Sequence, residues 1–254
     1  MKLAVCVKAV PDTLGGRRFD PETRRLDRSG ELALSEFDLH AVEEALRLRD
    51  AAGTGEVVAL TLGPEQAREP LRKALAMGVD RSLLVSDQAY AGADLLVTAA
   101  ALAAAIGREA PDLTLFGQQS PDGEGACLWA AVAERLELPV ISQVAELTLE
   151  PGRVLGRRQT EYGYERLAAP LPALVAVSDS INEPRYPSLK GIMAAKSKPQ
   201  QLLAASELGV SVASQTSVRG FAPPPERGER RVISDDGTAA EAILSFLRER
   251  RLFA

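Results

Sequence analysis

Histidine occurs once in the 254 residues, at position 40, and that scarcity removes whole classes of chemistry. One imidazole cannot build a histidine-ligated metal cluster, and a catalytic triad would rest on His40 alone, inside an amphipathic helical pattern. Cysteine occurs twice, as Cys6 and Cys127, with no CxxC spacing and no histidine beside either. Two such residues make no disulfide framework; they read as small packing residues in a reducing compartment. Aromatic residues are 4% of the chain, no basic stripe is present and the net charge is -5, so nucleic acid is not an expected partner. No apolar run is both long and unbroken enough to cross a bilayer, and the alanine-rich stretch 95–106 reads as a buried helix. A P-loop lysine and the GxGxxG fingerprint are missing. Carboxylates are plentiful, yet none forms a pair in an apolar setting that would split its pKa values. The chain therefore reads as a non-enzyme.

What is present is an α/β pattern. Runs at 2–7, 57–62, 83–85, 113–116 and 173–177 are short and rich in Val and Leu, as suits strands covered on both faces. Helical patterns alternate with them. Ser35 is placed to cap the first and Asp38 lies in its first turn; Leu39, Val42 and Leu46 share one face, and Glu43 and Arg47 form an i,i+4 pair. Gly63-Pro64 opens the second and Gly78 suits its end, while 93–106 and 125–136 supply two more. This order predicts a doubly wound, mostly parallel sheet. Residues 13–30, with Asp20-Pro21 and Ser29-Gly30, read as a hairpin excursion, and 144–167, turning at Pro151-Gly152, as an antiparallel extension.

The predicted division is a nucleotide-binding α/β domain over 1–199 and a C-terminal arm over 200–254. The arm is poor in apolar periodicity, carries Pro223-Pro224-Pro225, and ends in an amphipathic helix at 239–250 with Ile243 and Leu247 on one side. An isolated helix of that length is marginal in water and needs a surface to dock on. Met1 is followed at once by a strand-like run, which leaves no room for a leader and makes the expected location cytoplasmic.

Two segments are candidates for function. The strand at 113–116 runs into Gly117-Gln118-Gln119-Ser120-Pro121-Asp122-Gly123-Glu124-Gly125 and then a helix. Its glycines allow close backbone approach, and helix amides could hold a phosphate; an ordinary strand-to-helix turn, with Asp122 and Glu124 as capping carboxylates, fits the same residues. The second is 182–199, where Pro184 and Pro187 stop the preceding strand. Leu189, Ile192 and Met193 follow, flanked by Arg185, Lys190 and Lys196. Spacing alone allows them to pack on their own core or to face another protein. Lys196 and Lys198 either solvate this segment or steer acidic partners.

The string NEPRYPSLKGIMAAKSK at 182–198 resembles the partner-docking loop of electron-transfer flavoprotein β subunits, with Leu189 in the place of the anchoring leucine. Gly156, Arg158, Glu161, Gly163, Glu165, Leu167, Pro172, Leu174, Val175 and Ala176 fall at positions of the family signature. The stretches KLAVCVKAVPDT, EFDLHAVEEALRLRD and ALAMGVDRS are similar to the family as well, so the resemblance covers nearly the whole chain.

The resemblance implies a sheet of the adenine-nucleotide α-hydrolase type and a heterodimer with an α subunit that the C-terminal arm wraps. FAD would be held mainly by the α subunit, near Thr13 of this chain, where some members carry an aromatic residue. It implies AMP at Cys6, Ser35, Phe37, Asp38 and Leu62. The phosphate would lie on the span Gln119, Ser120, Asp122, Gly123, Glu124, Gly125, Ala126, Cys127 and Leu128. Members often have polar side chains where Ala126, Cys127 and Leu128 stand, so backbone donors are what remain here. Arg185, Tyr186, Leu189, Ile192 and Met193 would form the partner-docking set, and Gln159 replaces a glutamate found in some relatives. The implied function is electron transfer in fatty acid oxidation, from flavoprotein dehydrogenases of the acyl-CoA type to a quinone oxidoreductase. Two alternatives stand beside it. One is a subunit of an NADH-dependent electron-bifurcating flavoprotein, with a second FAD in the AMP site. The other is a stand-alone adenine-nucleotide-binding regulatory module.

Overall fold

The computed structural model describes residues 1–12, 18–222 and 232–252. The chain divides into two compact units, Met1–Arg219 and Gly220–Ala254. The first is built on a nine-stranded sheet. Its central strands are β1 (Lys2–Cys6), β4 (Glu56–Leu62), β5 (Arg81–Val85), β6 (Leu113–Gly117) and β10 (Ala173–Val177), all parallel. Side chains alternate between two cores, as the strand period requires. Leu3, Val5, Val57, Ala59, Leu113, Leu115 and Val175 face helices α1 (Glu36–Ala52) and α2 (Arg68–Met77). Ala4, Cys6, Val58, Leu60, Phe116, Leu174 and Ala176 face α3 (Leu95–Glu109) and α4 (Leu128–Leu136). Burial on both faces explains why these strands read as unbroken apolar runs.

The excursion after β1 is a small antiparallel pair, β2 (Ala9–Pro11) with β3 (Leu32–Leu34), and Phe19 bridges Leu26 farther out. The extension is a meander of β7 (Val140–Glu150), β8 (Arg153–Thr160) and β9 (Gly163–Pro170). Beyond β10 the chain crosses α1 and α2, forms the short helix α5 (Leu189–Ala195), and enters β11 (Gln200–Leu203) beside β5.

Two details depart from the sequence expectations. Ser35 precedes α1, yet its buried hydroxyl makes no capping bond; its carbonyl receives the Asp38 and Leu39 amides instead. Helix α4 starts at Leu128 rather than 125, because Glu124 and Ala126 adopt left-handed backbone angles of 49° and 45° that no α-helix accepts. The first unit extends past β11 to Arg219. Strand β11 extends the sheet and leads into the short helix α6 (Ala205–Leu208), the Ala205 amide donates to Asp87, and the Gln215 and Thr216 amides donate to Asp94 at 2.7 and 3.1 Å.

The second unit contains α7 (Ala239–Glu249), introduced by Asp236, which accepts from the Thr238 amide at 3.0 Å and its hydroxyl at 2.6 Å. No residue of α7 is buried, and Ile243 and Leu244 are exposed. A short amphipathic helix left in that state is a poor independent element.

Candidate functional site

The sheet reverses its direction of growth between β1 and β6: β4 and β5 lie on one side, β10 and β7 on the other. The carboxyl ends of two such strands diverge into a crevice, the usual ligand position in open α/β sheets. Asp38, in the first turn of α1, closes the floor of this crevice by accepting the Lys8 amide at 2.8 Å and the Gly117 amide. Burial pushes its carboxyl up to about 7 against the pull of those two amides. Residue 117 must be glycine for this arrangement. A Cβ there would lie 2.4 Å from Asp38 Oδ1 and 2.7 and 2.8 Å from the carbonyl carbon and oxygen of Phe37. Cys6, at the end of β1, is buried; burial and the neighbouring Asp38 raise its thiol above the ordinary range, which leaves it protonated and inert.

The loop 118–127 forms the outer wall. Its base is held by the Gln118 amide on Val177 O at 3.0 Å and by the Trp129 indole on Gln118 O at 3.0 Å. Farther out, Asp122 turns inward. Its side chain is 5% exposed and both oxygens are occupied, one by Lys8 Nζ at 2.8 Å and the other by Arg28 Nη2. Lys8 Nζ also donates to Ser120 Oγ at 3.1 Å, and Arg28 reaches Ala9 O at 3.1 Å. Burial alone would raise the Asp122 carboxyl, but Lys8, Ser120 and Arg28 outweigh it and lower it to about 2. The tip at 123–127 is exposed, and Cys127 makes no side-chain capping bond to α4. Among the residues expected here, Asp38 and Asp122 thus spend their carboxylates on the protein itself. Ser35, Phe37 and Leu62 stand at the ends of β3, α1 and β4. Gln119, Ser120, Gly123, Gly125 and Ala126 follow β6, and Leu128 begins α4. Thr13 lies outside the described residues. Lys8 and Arg28 were not foreseen; a lysine two residues past a central strand was the available signal, and the Arg28 pair has no local one.

The second surface is 182–199. Tyr186 is 95% exposed, Leu189 78%, Met193 60% and Ile192 48%, whereas Ala195 is buried. Arg185 faces inward: its Nε donates to Glu43 Oε2 at 2.7 Å, Nη2 to Glu43 Oε1 at 3.1 Å and Nη1 to Asp50 at 3.2 Å. The Glu43–Arg47 pair exists at 3.1 Å, but Glu43 is buried and spends most of its hydrogen bonds on Arg185. His40 Nδ1 lies 3.0 Å from Asn182 O, and Asn182 Nδ2 donates to His40 O and Glu44 Oε2, both at 3.0 Å. Lys198 neither solvates nor steers. Its ammonium donates to Leu75 O and Val79 O, at 2.9 and 2.6 Å, and so caps the carboxyl end of α2.

A family model described as "Electron transfer flavoprotein domain" matches residues 23–208. The electron transfer flavoprotein subunit beta of Mycobacterium bovis is 36% identical over 98% of this chain and 98% of its own length. The chain belongs to the electron transfer flavoprotein β-subunit family. Its similarity extends to the caffeyl-CoA reductase-Etf complex subunit CarD of Acetobacterium woodii, 37% identical over 99% of this chain and 100% of that one. It also extends to Protein FixA of Azorhizobium caulinodans, 33% identical over 99% and 95%. Membership makes this chain a flavin-associated electron-carrier subunit whose counterpart is an α subunit. Among the described residues no helix is long and apolar enough to cross a membrane, and no group of three His, Cys, Asp or Glu side chains is placed to hold a metal ion.

Proposed function

We propose that this chain is the β subunit of a cytoplasmic heterodimeric electron-transfer flavoprotein serving flavoprotein dehydrogenases of the acyl-CoA type in fatty acid oxidation. FAD, held mainly by the α subunit, supplies the acceptance and release of electrons, which pass on to a quinone oxidoreductase. This chain supplies part of the flavin's wall, a nucleotide site and the docking surface. The observation that carries the reading is the exposed apolar set Tyr186, Leu189, Ile192 and Met193 on a segment anchored to α1 and α2 by Asn182, the Arg185 amide and Lys198. Burying one leucine on a partner is worth about 2 kcal/mol, or about 30-fold in affinity. A few such side chains suit an encounter that must also dissociate.

AMP suits the crevice as a structural ligand. The chemistry of the loop fits a phosphate: an exposed tip, a helix start without a side-chain cap, and the Lys8 ammonium alongside. Backbone amides at 125–128 would take the phosphate, since the Glu124 amide already donates to Ser120 O at 2.8 Å. Ser35, Phe37, Leu62 and the backbone at Cys6 would border the nucleoside. The arm 220–254, with the unburied face of α7, would wrap the α subunit.

A second reading makes this chain a subunit of an NADH-dependent bifurcating flavoprotein with a second FAD in the AMP site, and the similarity to a caffeyl-CoA reductase-Etf complex subunit of Acetobacterium woodii is what keeps it open. Co-purification with the α subunit and acid extraction of its nucleotides decides between them. One FAD and one AMP per heterodimer supports the first reading; two FAD and no AMP replaces it with the second. A stable ligand-bound monomer would favour the regulatory module. In the same preparation, Leu189→Ala raises the KM for dehydrogenase-driven flavin reduction about 30-fold, in line with the loss of leucine burial. An unchanged KM removes the docking role.

A further inference from the structure

Helix α5 is seven residues long, too short to persist in water by itself, and yet it holds Leu189 at a fixed place. Its seat is visible on both sides. Downstream, Gly191 lies so close to α2 that a Cβ would fall 2.3 Å from Ala76 O, and Lys198 is fixed on the α2 carbonyls. Upstream, Glu43 receives three hydrogen bonds from one residue: the Arg185 amide at 3.1 Å, Nε at 2.7 Å and Nη2 at 3.1 Å. The Glu43 side chain is 5% exposed and sits mid-helix in α1. Facing groups are Arg47 on the same helix turn, Asp50 on the far side of the guanidinium, and Asn182 bridging to Glu44 and His40.

We propose that Glu43, acting through Arg185, is a positioning residue for partner docking: it clamps 182–187 on α1 so that α5 presents Leu189 already in its docking attitude. This rests on the docking role of Leu189 given above. Arg185, expected among the partner contacts, is then the inner half of a clamp. The physical gain is preorganisation. A short segment ordered before the encounter does not have to be ordered during it, so the clamp acts on capture and leaves the transfer step alone. A bidentate arginine–carboxylate pair suits this use because it fixes direction as well as distance.

The test uses the intact heterodimer, with three variants: Glu43→Gln, Arg185→Gln and Leu189→Ala. Flavin reduction is followed with an acyl-CoA dehydrogenase from the same organism, varying heterodimer concentration; flavin content, heterodimer mass and amide exchange over 183–195 are recorded beside it. Glu43→Gln and Arg185→Gln should each raise KM about fivefold with kcat within about twofold, and the double variant should add little, as members of one coupled pair do. Exchange over 183–195 should accelerate while flavin content holds. Arg185 is partly exposed, so its variant folds even where Glu43→Gln proves costly. If Leu189→Ala raises KM and both clamp variants leave it within about twofold, the clamp is overturned and docking stands. If Leu189→Ala also leaves KM unchanged, the docking reading fails and the clamp with it.

Discussion

The loop 118–127 and the segment 182–199 both leave the carboxyl end of a core strand, and they are finished in opposite ways. In the first, side chains are satisfied and the backbone past Glu124 is presented: Asp122 is buried between Lys8 and Arg28 and the Gly123 and Glu124 amides donate to Ser120 O, while the tip at 123–127 is exposed, left-handed at two residues, and leads into a helix without a side-chain cap. In the second, backbone is satisfied and side chains are presented. Ser188 caps α5 through the Gly191 amide at 3.0 Å, Lys198 closes α2, and Glu43 takes the Arg185 amide, while Leu189 and Met193 stand in solvent. Exposed backbone donors at a helix start are complementary to a phosphate, whereas exposed apolar side chains on a satisfied backbone are complementary to another protein. On the proposed function, the difference separates a site that a small ligand would complete from one that is complete before its partner arrives.

Changes at the two glycines that shape these regions should break the comparison most strongly. Gly117→Ala drives a Cβ into the backbone of Phe37 and into Asp38, and should cost about 3 kcal/mol in denaturant unfolding, with loss of bound nucleotide. Gly191→Ala meets Ala76 O and should cost about 2 kcal/mol by unseating α5. Its nucleotide content should stay at the wild-type level, and a shared loss would show that the regions are not independent. Lys198→Met strips two carbonyls of their donor and should cost about 1 kcal/mol by the same measurement.

A pH series sharpens the loop side with the smallest effect. The Asp122 carboxyl is lowered to about 2 in the folded chain, so the folded state holds fewer protons there than the unfolded one between the unfolded value and 2. Its contribution is complete above the unfolded pKa, near 3.9, and is lost as pH falls through about 2. Asp122→Asn should therefore destabilise the chain at pH 5 and converge on the wild type as the pH approaches 2. A constant offset at every pH would contradict the ion-pair origin.

Much of the sheet was legible because β1, β4, β6 and β10 are buried on both faces and read as continuous Val and Leu runs. The hairpin and the meander were marked by Asp20-Pro21, Ser29-Gly30 and Pro151-Gly152. Strand β11, Gln-Gln-Leu-Leu at the sheet edge, carries no such run. The start of α4 was read early, since nothing in the residue types of Glu124 or Ala126 announces a left-handed backbone. Asp38, Asp122 and Arg185 stand among the expected site residues, but their partners lie far along the chain, 30 residues for Asp38, 114 for Asp122 and 142 for Arg185. Local spacing cannot show whether such a side chain points outward to a ligand or inward to a distant carboxylate or amide.

Amide exchange on the heterodimer, with and without its bound nucleotide and in the absence of any dehydrogenase, tests the contrast most directly. The expected result is faster exchange over 123–128 once the nucleotide is removed, with amides of 189–195 protected and unchanged in both samples. Exchange over 189–195 at the rate of an unstructured chain would contradict it, because the docking segment would then be built by its partner rather than before it.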